Sequence, residues 1–350
     1  MTYEVLLNTV GWPLAKIVVL LAAVLTVVAY IGWFERRLLG LFQSRLGPNR
    51  VGPLGLLQPV ADGLKLFLKE DIVPLNARPF LFKLAPVFAF FPAFLGFAVV
   101  SWALPWATPS GRHHGFVVAD VDLGILLVLA VSSLGIFGII LGGWSSGSKY
   151  PLMGSLRSAS QMLAYEIPLT LSVIAVILLG GSFRLSDIVA AQQKLGAYFI
   201  LPGLLAFGVY LISAVAETNR VPFDLPEGES EIIGFHTEYS GMRFGFFFVA
   251  EYANMVLISV IAASLFLGGY DLPGVDDAAL YAAHPNLASA LGVFAFAAKS
   301  ALFAYFYVWI RATFPRYRYD QLLRIGWVVL LPIALANVAL VALLKLWLLR

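Results

Sequence analysis

The chain reads as an all-α polytopic membrane protein with about eight transmembrane helices, and an amphipathic interfacial helix in its first inward-facing loop. Three observations predict this. Hydrophobic residues make up 60% of the 350 and charged residues only 12%, which is more apolar surface than a soluble core can use. The apolar residues fall into about eight runs long enough to cross a bilayer core of roughly 30 Å at about 1.5 Å per residue. The basic residues concentrate in alternate loops, the asymmetry that sets the orientation of multi-spanning proteins. No short-period repeat, low-complexity segment or linker divides the chain, so residues 1–350 read as a single transmembrane domain.

The runs lie near 12–34, 80–104, 121–143, 158–181, 198–216, 243–267, 287–310 and 325–349. The first is too long for a signal-peptide core and ends on charges, so it reads as a retained helix. Loop one is the longest connection. Gly47-Pro48-Asn49 and Gly52-Pro53 are turn signals. After them Leu54, Leu57, Val60, Ala61, Leu64 and Leu68 recur at helical spacing, with Asp62, Lys65 and Lys69 among or opposite them. This predicts an amphipathic helix interrupted near Pro59, either a surface anchor or a lid over a cavity between helices. Loop three is short and rich in small residues. Loop seven is basic and aromatic, as an interfacial belt would be.

Loop one carries Arg36, Arg37, Arg45, Arg50, Lys65, Lys69 and Arg78. Loop three has Lys149 and Arg157, loop five Arg220 and Arg243, and loop seven Arg311, Arg316, Arg318 and Arg324. The even loops offer only Arg112, Arg184 and Lys194. The odd loops therefore face the cytoplasm and both termini face outward.

Composition also excludes functions. A net charge of +3 argues against a nucleic-acid partner. With no cysteine there is no disulfide, thiolate zinc site or iron–sulfur cluster on this chain. His113 and His114 are adjacent rather than helix-spaced, and His236 and His284 stand alone, so no metal site is expected. No phosphate loop, nucleophile elbow or His-x-x-Glu pair is present, so no complete active site is expected.

The chemistry sits where charge enters the apolar runs. From Glu217 to Glu251 the chain packs Glu217, Asp224, Glu227, Glu229, Glu231 and Glu238 between two apolar segments, with Arg220 among them and Arg243 at the edge. Ionisable groups inside a membrane cost about 2.5–3.5 kcal/mol each on insertion scales. Glu166 falls about 13 Å into the fourth run, Glu251 about 12 Å into the sixth, and Lys299 roughly 18 Å into the seventh. Glu35 and Glu217 close the inner ends of the first and fifth. These acids are expected to form a path from the cytoplasmic surface into the membrane, able to hold and pass protons; the structural alternative pairs Glu166 or Glu251 with Lys299 or with backbone. Lys16, near the outer end of the first run, is expected to snorkel.

The residues from Glu35 to Asp71 resemble the first cytoplasmic loop of a family of membrane subunits, the H subunits of bacterial respiratory complex I (NADH:quinone oxidoreductase), whose mitochondrial counterpart is NADH dehydrogenase subunit one. Residues 143–166 are similar to the family's third loop. AETNRVPFDLPEGESE and HTEYSGMRFGFFFVAEY are similar to its fifth, and IRATFPRYRYDQLLR closes the match. The resemblance runs from about the first helix to the last.

The resemblance implies a non-redox-centre subunit that forms the membrane end of a quinone chamber, with its access path, and a carboxylate chain coupling quinone reduction to proton translocation. On this sequence the chamber would include Arg36, Arg45, Asp62 and Arg311. The coupling chain would include Glu35, Glu166, Glu217, Asp224, Glu227, Glu229, Glu231 and Glu251, with Arg220 holding loop five. Quinone would be substrate at the interface, with no flavin, iron–sulfur cluster or metal held here. Implied partners are the peripheral-arm quinone-module subunits at the cytoplasmic loops, small membrane subunits and antiporter-like subunits laterally, and membrane lipid, in a bacterial plasma (inner) membrane. Some members carry a carboxylate in the third helix where this chain has Ser133. Two alternatives are a related subunit of a membrane-bound hydrogenase, whose fifth loop is less similar, and a stand-alone ion transporter, which usually shows inverted repeats.

Overall fold

The structure, a computed structural model, describes residues 11–107, 113–224, 227–228 and 233–348. Among them, seven helical spans are long and apolar enough to cross a membrane. They are α1 (Trp12–Phe42), α3 (Pro79–Leu95, continued by a tighter turn to Val99), α4 (Gly124–Ser145), α5 (Lys149–Gly180), α8 (Gly241–Phe266), α10 (Pro285–Thr313) and a final run. That run passes from α11 (Tyr319–Arg324) through a π-helical turn at Ile325–Leu330 into α12 (Leu331–Leu348). An eighth apolar helix, α7 (Leu204–Glu217), has only 14 residues. Three short helices complete the set: α2 (Gln58–Leu68), α6 (Leu185–Leu195) and α9 (Asp277–Ala283). Two small antiparallel pairs join β1 (Trp106–Ala107) to β2 (His113–His114) and β3 (Glu227–Gly228) to β4 (Ile233–Gly234). The chain is a multi-pass, all-α membrane protein.

The helices differ from the sequence-based expectation in ways that matter for function. α1 continues past residue 34 to Phe42, so Glu35 and Arg36 ride on the helix rather than ending it. α5 begins at Lys149, nine residues before its apolar run. Pro151 falls in its first turn, where a missing N–H costs nothing, so most of the expected third loop is helix. α7 starts late because residues 198–203 do other work. The Phe199 N–H donates to the buried Gln192 side chain and the Ile200 N–H to the Phe266 carbonyl at the end of α8. Pro59 opens α2 rather than interrupting it, and Leu54 and Leu57 precede the helix.

α5 and α8 form the centre. Their apolar windows are 56% and 67% buried, against 17% for α1, 28% for α10 and 22% for the last span. The outward faces of the peripheral helices stay apolar, with Val18, Val19, Phe294, Leu302, Val328 and Leu343 all exposed. That inside-out pattern suits lipid as solvent. Close helix contact uses small residues: a side chain at Gly138 on α4 would run into the Ala89 backbone on α3. Two lysines cap helix ends on the side opposite loop five. The Lys345 ammonium donates to Leu178 O on α5 (2.6 Å), and Lys299 donates to the carbonyls of Leu267, Gly269 and Asp271 (2.6, 3.1 and 2.6 Å) just past α8. Lys16 donates to Val117 O (3.3 Å).

Candidate functional site: a buried acid seam beside an apolar groove

The C-terminal ends of α1, α7 and α10 and the N-terminal end of α8 converge beneath loop five. Loop five leaves α7 through Thr218 and Asn219, the latter in the left-handed region (φ 51°). Its start is pinned by Gln161 of α5, which is fully buried and donates to Ala216 O (2.8 Å), Phe223 O (2.6 Å) and Asn219 Oδ1 (3.2 Å). Its end is pinned by Tyr239, stacked on Phe82 with centroids 4.0 Å apart and donating to Phe82 O (3.1 Å). The Ser240 hydroxyl bridges Glu70 O (3.0 Å) and Ile72 N (3.1 Å), which ties loop five to the chain leaving α2. Among the described residues, Arg243 takes Asp71 as its ion-pair partner (3.0 Å).

Within this frame lies a knot of charge. Glu35 is 2% exposed. Its carboxylate accepts from Arg220 (3.1 and 3.2 Å), from the Tyr252 hydroxyl (2.8 Å) and from Arg311. Arg220, 6% exposed, also contacts Glu251 (2.8 Å) and lies over the Tyr252 ring at 4.2 Å. Burial alone would favour a neutral guanidine, but Glu251 and Glu35 outweigh it and push the Arg220 pKa up. A buried carboxylate is tolerable only with such partners. Burial pushes the nearby His236 down, against a weaker opposing pull from Glu251, so this imidazole is held neutral more firmly than a free one.

From this knot the acids continue as a seam along two small cavities of about 40 Å³ each. The first is bordered by Glu251, Glu217, Asn219 and Asn254. The second is bordered by Glu217, Glu166, Tyr210 and Asn254. Glu217 is 8% exposed, faces both, and has one carboxylate oxygen without a hydrogen-bond partner among the described residues. Glu166 accepts from the Ser133 hydroxyl. Each cavity has room for two or three waters, taking about 10–15 Å³ as the minimum for one.

A third space is different in kind. A groove of about 1000 Å³ runs between α1 and α10 with α8 as its floor. Trp12, Lys16 and Trp106 mark the end at the start of α1, and Tyr30, Trp33 and Phe34 the end nearer loop five, one residue before Glu35. Its walls are almost wholly apolar.

The structure brings most of the expected residues together. Glu35, Arg220, Glu251 and Arg311 meet directly, and Glu217 and Glu166 follow through the cavities. Arg36 pairs with Asp62 of α2 at 2.8 Å, beside the knot on the same turn of α1. Arg45 does not join; it is exposed and donates to Gln43 (2.7 Å). Asp224 is half-buried at the edge of the described segment. Glu227 lies on β3, and Glu229 and Glu231 fall outside the described residues. Lys299 is not a counter-ion for Glu166 or Glu251, because its ammonium is committed to three backbone carbonyls at the other end of α8. Three participants carried no signal strong enough to single out: Gln161, Asn254 and Tyr252. Each is a polar group inside an apolar run, and a search for uncharged polar residues there would have found them.

The sequence profile of the NADH dehydrogenase family matches residues 15–342. Similar chains include the H subunit of the NADH-quinone oxidoreductase of Thermomicrobium roseum, 49% identical over 338 residues and covering 94% of each chain. One of the H subunits of Geobacter metallireducens is 48% identical over 326 residues, covering 93% of this chain and 94% of its own. The H subunit of Rhodospirillum rubrum is 48% identical over 336 residues, covering 95% and 94%. With matches of this length and identity, joined to a multi-pass helical fold, the chain belongs to the NADH dehydrogenase family of membrane subunits.

Proposed function

We propose that this chain works as the H subunit of a proton-pumping NADH:quinone oxidoreductase, supplying the membrane part of the quinone chamber and the acids that couple quinone reduction to proton movement. The observation that carries the reading is the seam itself: Glu35, Arg220 and Glu251 in direct contact, then Glu217 facing two small cavities that reach Glu251 on one side and Glu166 on the other. A structural anchor has no use for a carboxylate at Glu217 with an unmatched oxygen.

Arg36, Asp62 and Arg311 stand where the groove reaches the knot, which supports a chamber wall at this place. An apolar groove open along α1 and α10 suits the tail of a lipid-soluble quinone, and a charged end suits its headgroup. Partner subunits at the cytoplasmic loops would supply the electrons. Reduction of a quinone to quinol takes up two protons and leaves transient negative charge near Glu35. In a low-dielectric wall such a charge is felt strongly by neighbouring acids. Loop five, pinned by Gln161 and Tyr239 and paired through Arg220, is the element whose shift would pass that charge to Glu217. Coupling of this kind requires an element with two arrangements. An outward N-terminus is supported by the basic odd loops, and a bacterial plasma membrane by the bacterial relatives.

The test is Glu217→Gln in the assembled enzyme, with NADH:quinone turnover and proton pumping measured together. Loss of pumping, or of both, with assembly intact supports the reading. Normal pumping in an assembled variant sinks it.

A further inference from the structure

We propose that Asn254 is the positioning residue that joins the two cavities, orienting the water through which a proton passes between Glu217 and Glu166. The proposal rests on the relay described above and adds a residue to it. Asn254 follows Glu251 by three positions on α8, so the two share one face about a turn apart. Among the described residues, only Met162, Glu217 and Asn254 border both cavities. Met162 cannot donate a hydrogen bond, and the charge of Glu217 changes as it takes and releases a proton. The Asn254 amide has two N–H donors and one acceptor, and no change of charge. It can hold water in one orientation whichever form Glu217 is in.

Its surroundings point the same way. The neighbouring α8 positions Ala253, Val256 and Leu257 are apolar and buried, yet among the described residues the Asn254 amide enters no hydrogen bond with the protein. A polar side chain placed in a membrane helix without a protein partner is costly unless the space it faces is wet. It faces two spaces of about 40 Å³, each above the minimum for a water. In the transfer, an O–H bond breaks at the Glu217 carboxyl and one forms at the Glu166 carboxylate. Water between them relays the proton, and no electron moves.

Asn254→Thr and Asn254→Val test this, because the two side chains have nearly the same shape and differ in one hydroxyl. Both are measured in the assembled complex for NADH:quinone turnover, protons pumped per NADH oxidised and KM for quinone. The expected result is that Asn254→Val loses about tenfold or more in pumping, comparable with removing a positioned proton-transfer group, with KM for quinone unchanged. Asn254→Thr stays within about threefold, since a hydroxyl can still order water. Equal behaviour of the two variants, whether both active or both impaired, assigns Asn254 to packing and overturns the proposal. If Asn254→Val does not assemble, Asn254→Leu takes its place in the same comparison. Glu217→Gln separates the two levels. If it abolishes pumping while Asn254→Val pumps normally, only the role of Asn254 falls. If both pump normally, the relay falls with it.

Discussion

Arg220 offers the most quantitative test of the charged knot. Replacing it by methionine keeps an unbranched, flexible stem and removes the cation. Glu35, only 2% exposed, would keep Arg311 and Tyr252 but lose the more deeply buried of its two cations, and Glu251 would lose its guanidinium. Breaking a buried pair by removing one member costs about 3–5 kcal/mol. The stacking on Tyr252, at 4.2 Å from the ring centroid, adds about 1–2 kcal/mol in a desolvated setting. Arg220→Met should therefore destabilise the subunit by about 4–7 kcal/mol, a large part of the 5–15 kcal/mol or so that a domain has to lose. The assay is the amount of assembled complex on native gels, with the thermal-inactivation midpoint of NADH:quinone activity in membranes. Arg220→Met alone should assemble poorly. Adding Glu251→Gln, which removes the uncompensated charge, should recover part of the loss. Full assembly and an unchanged midpoint in Arg220→Met would refute the reasoning, because no buried charge would then depend on Arg220. A double variant no better than the single would show that Glu251 is not the group left stranded.

Two further outcomes follow from the opposite end of the bundle. Lys299→Met removes the cation that satisfies three carbonyls just past α8; at about 1.5–3 kcal/mol for hydrogen bonds to a charged group, the inactivation midpoint should fall while the protons pumped per NADH stay unchanged, and a lowered pumping ratio in assembled enzyme would contradict a purely structural lysine. At Asp277, burial first, then the hydrogen bond and charge of Asp271, push the carboxyl up to about 6. The folded state thus holds this proton more tightly than the unfolded one, so the stability linked to it is present below the ordinary value near 4 and is lost as pH rises through about 6. Asp277→Asn should stabilise the protein at pH 8 by about 1 kcal/mol, after allowing for solvent screening of a half-exposed group, and not at pH 4. Equal midpoint shifts at both pH values would rule this linkage out.

The sequence alone determined the solvent and most of the elements. Hydropathy is a local property, read within one span, so the spans of α1, α3, α4, α5, α8, α10 and α12 are legible, as is the anomaly of Glu166, Glu251 and Lys299 inside them. Local reading failed where an element's length was set from outside it. α7 is short because residues 198–203 bond to Gln192 and to the end of α8, and α5 is long because a polar first turn can be helical without being apolar. Spacing also placed Lys299 and the acids in the same membrane without saying that they face different ends of it. What only the tertiary structure decided is partnership. Glu35 and Arg220 are 185 residues apart and Glu35 and Arg311 are 276 apart, a relation that no periodicity encodes. Whether a buried acid is matched, as Glu35 is, or faces a small cavity, as Glu217 does, depends on how four helices pack. Packing brings distant charges within a few ångströms, where their low-dielectric interaction offsets the cost of burial, and it leaves the spaces through which an unmatched acid can act.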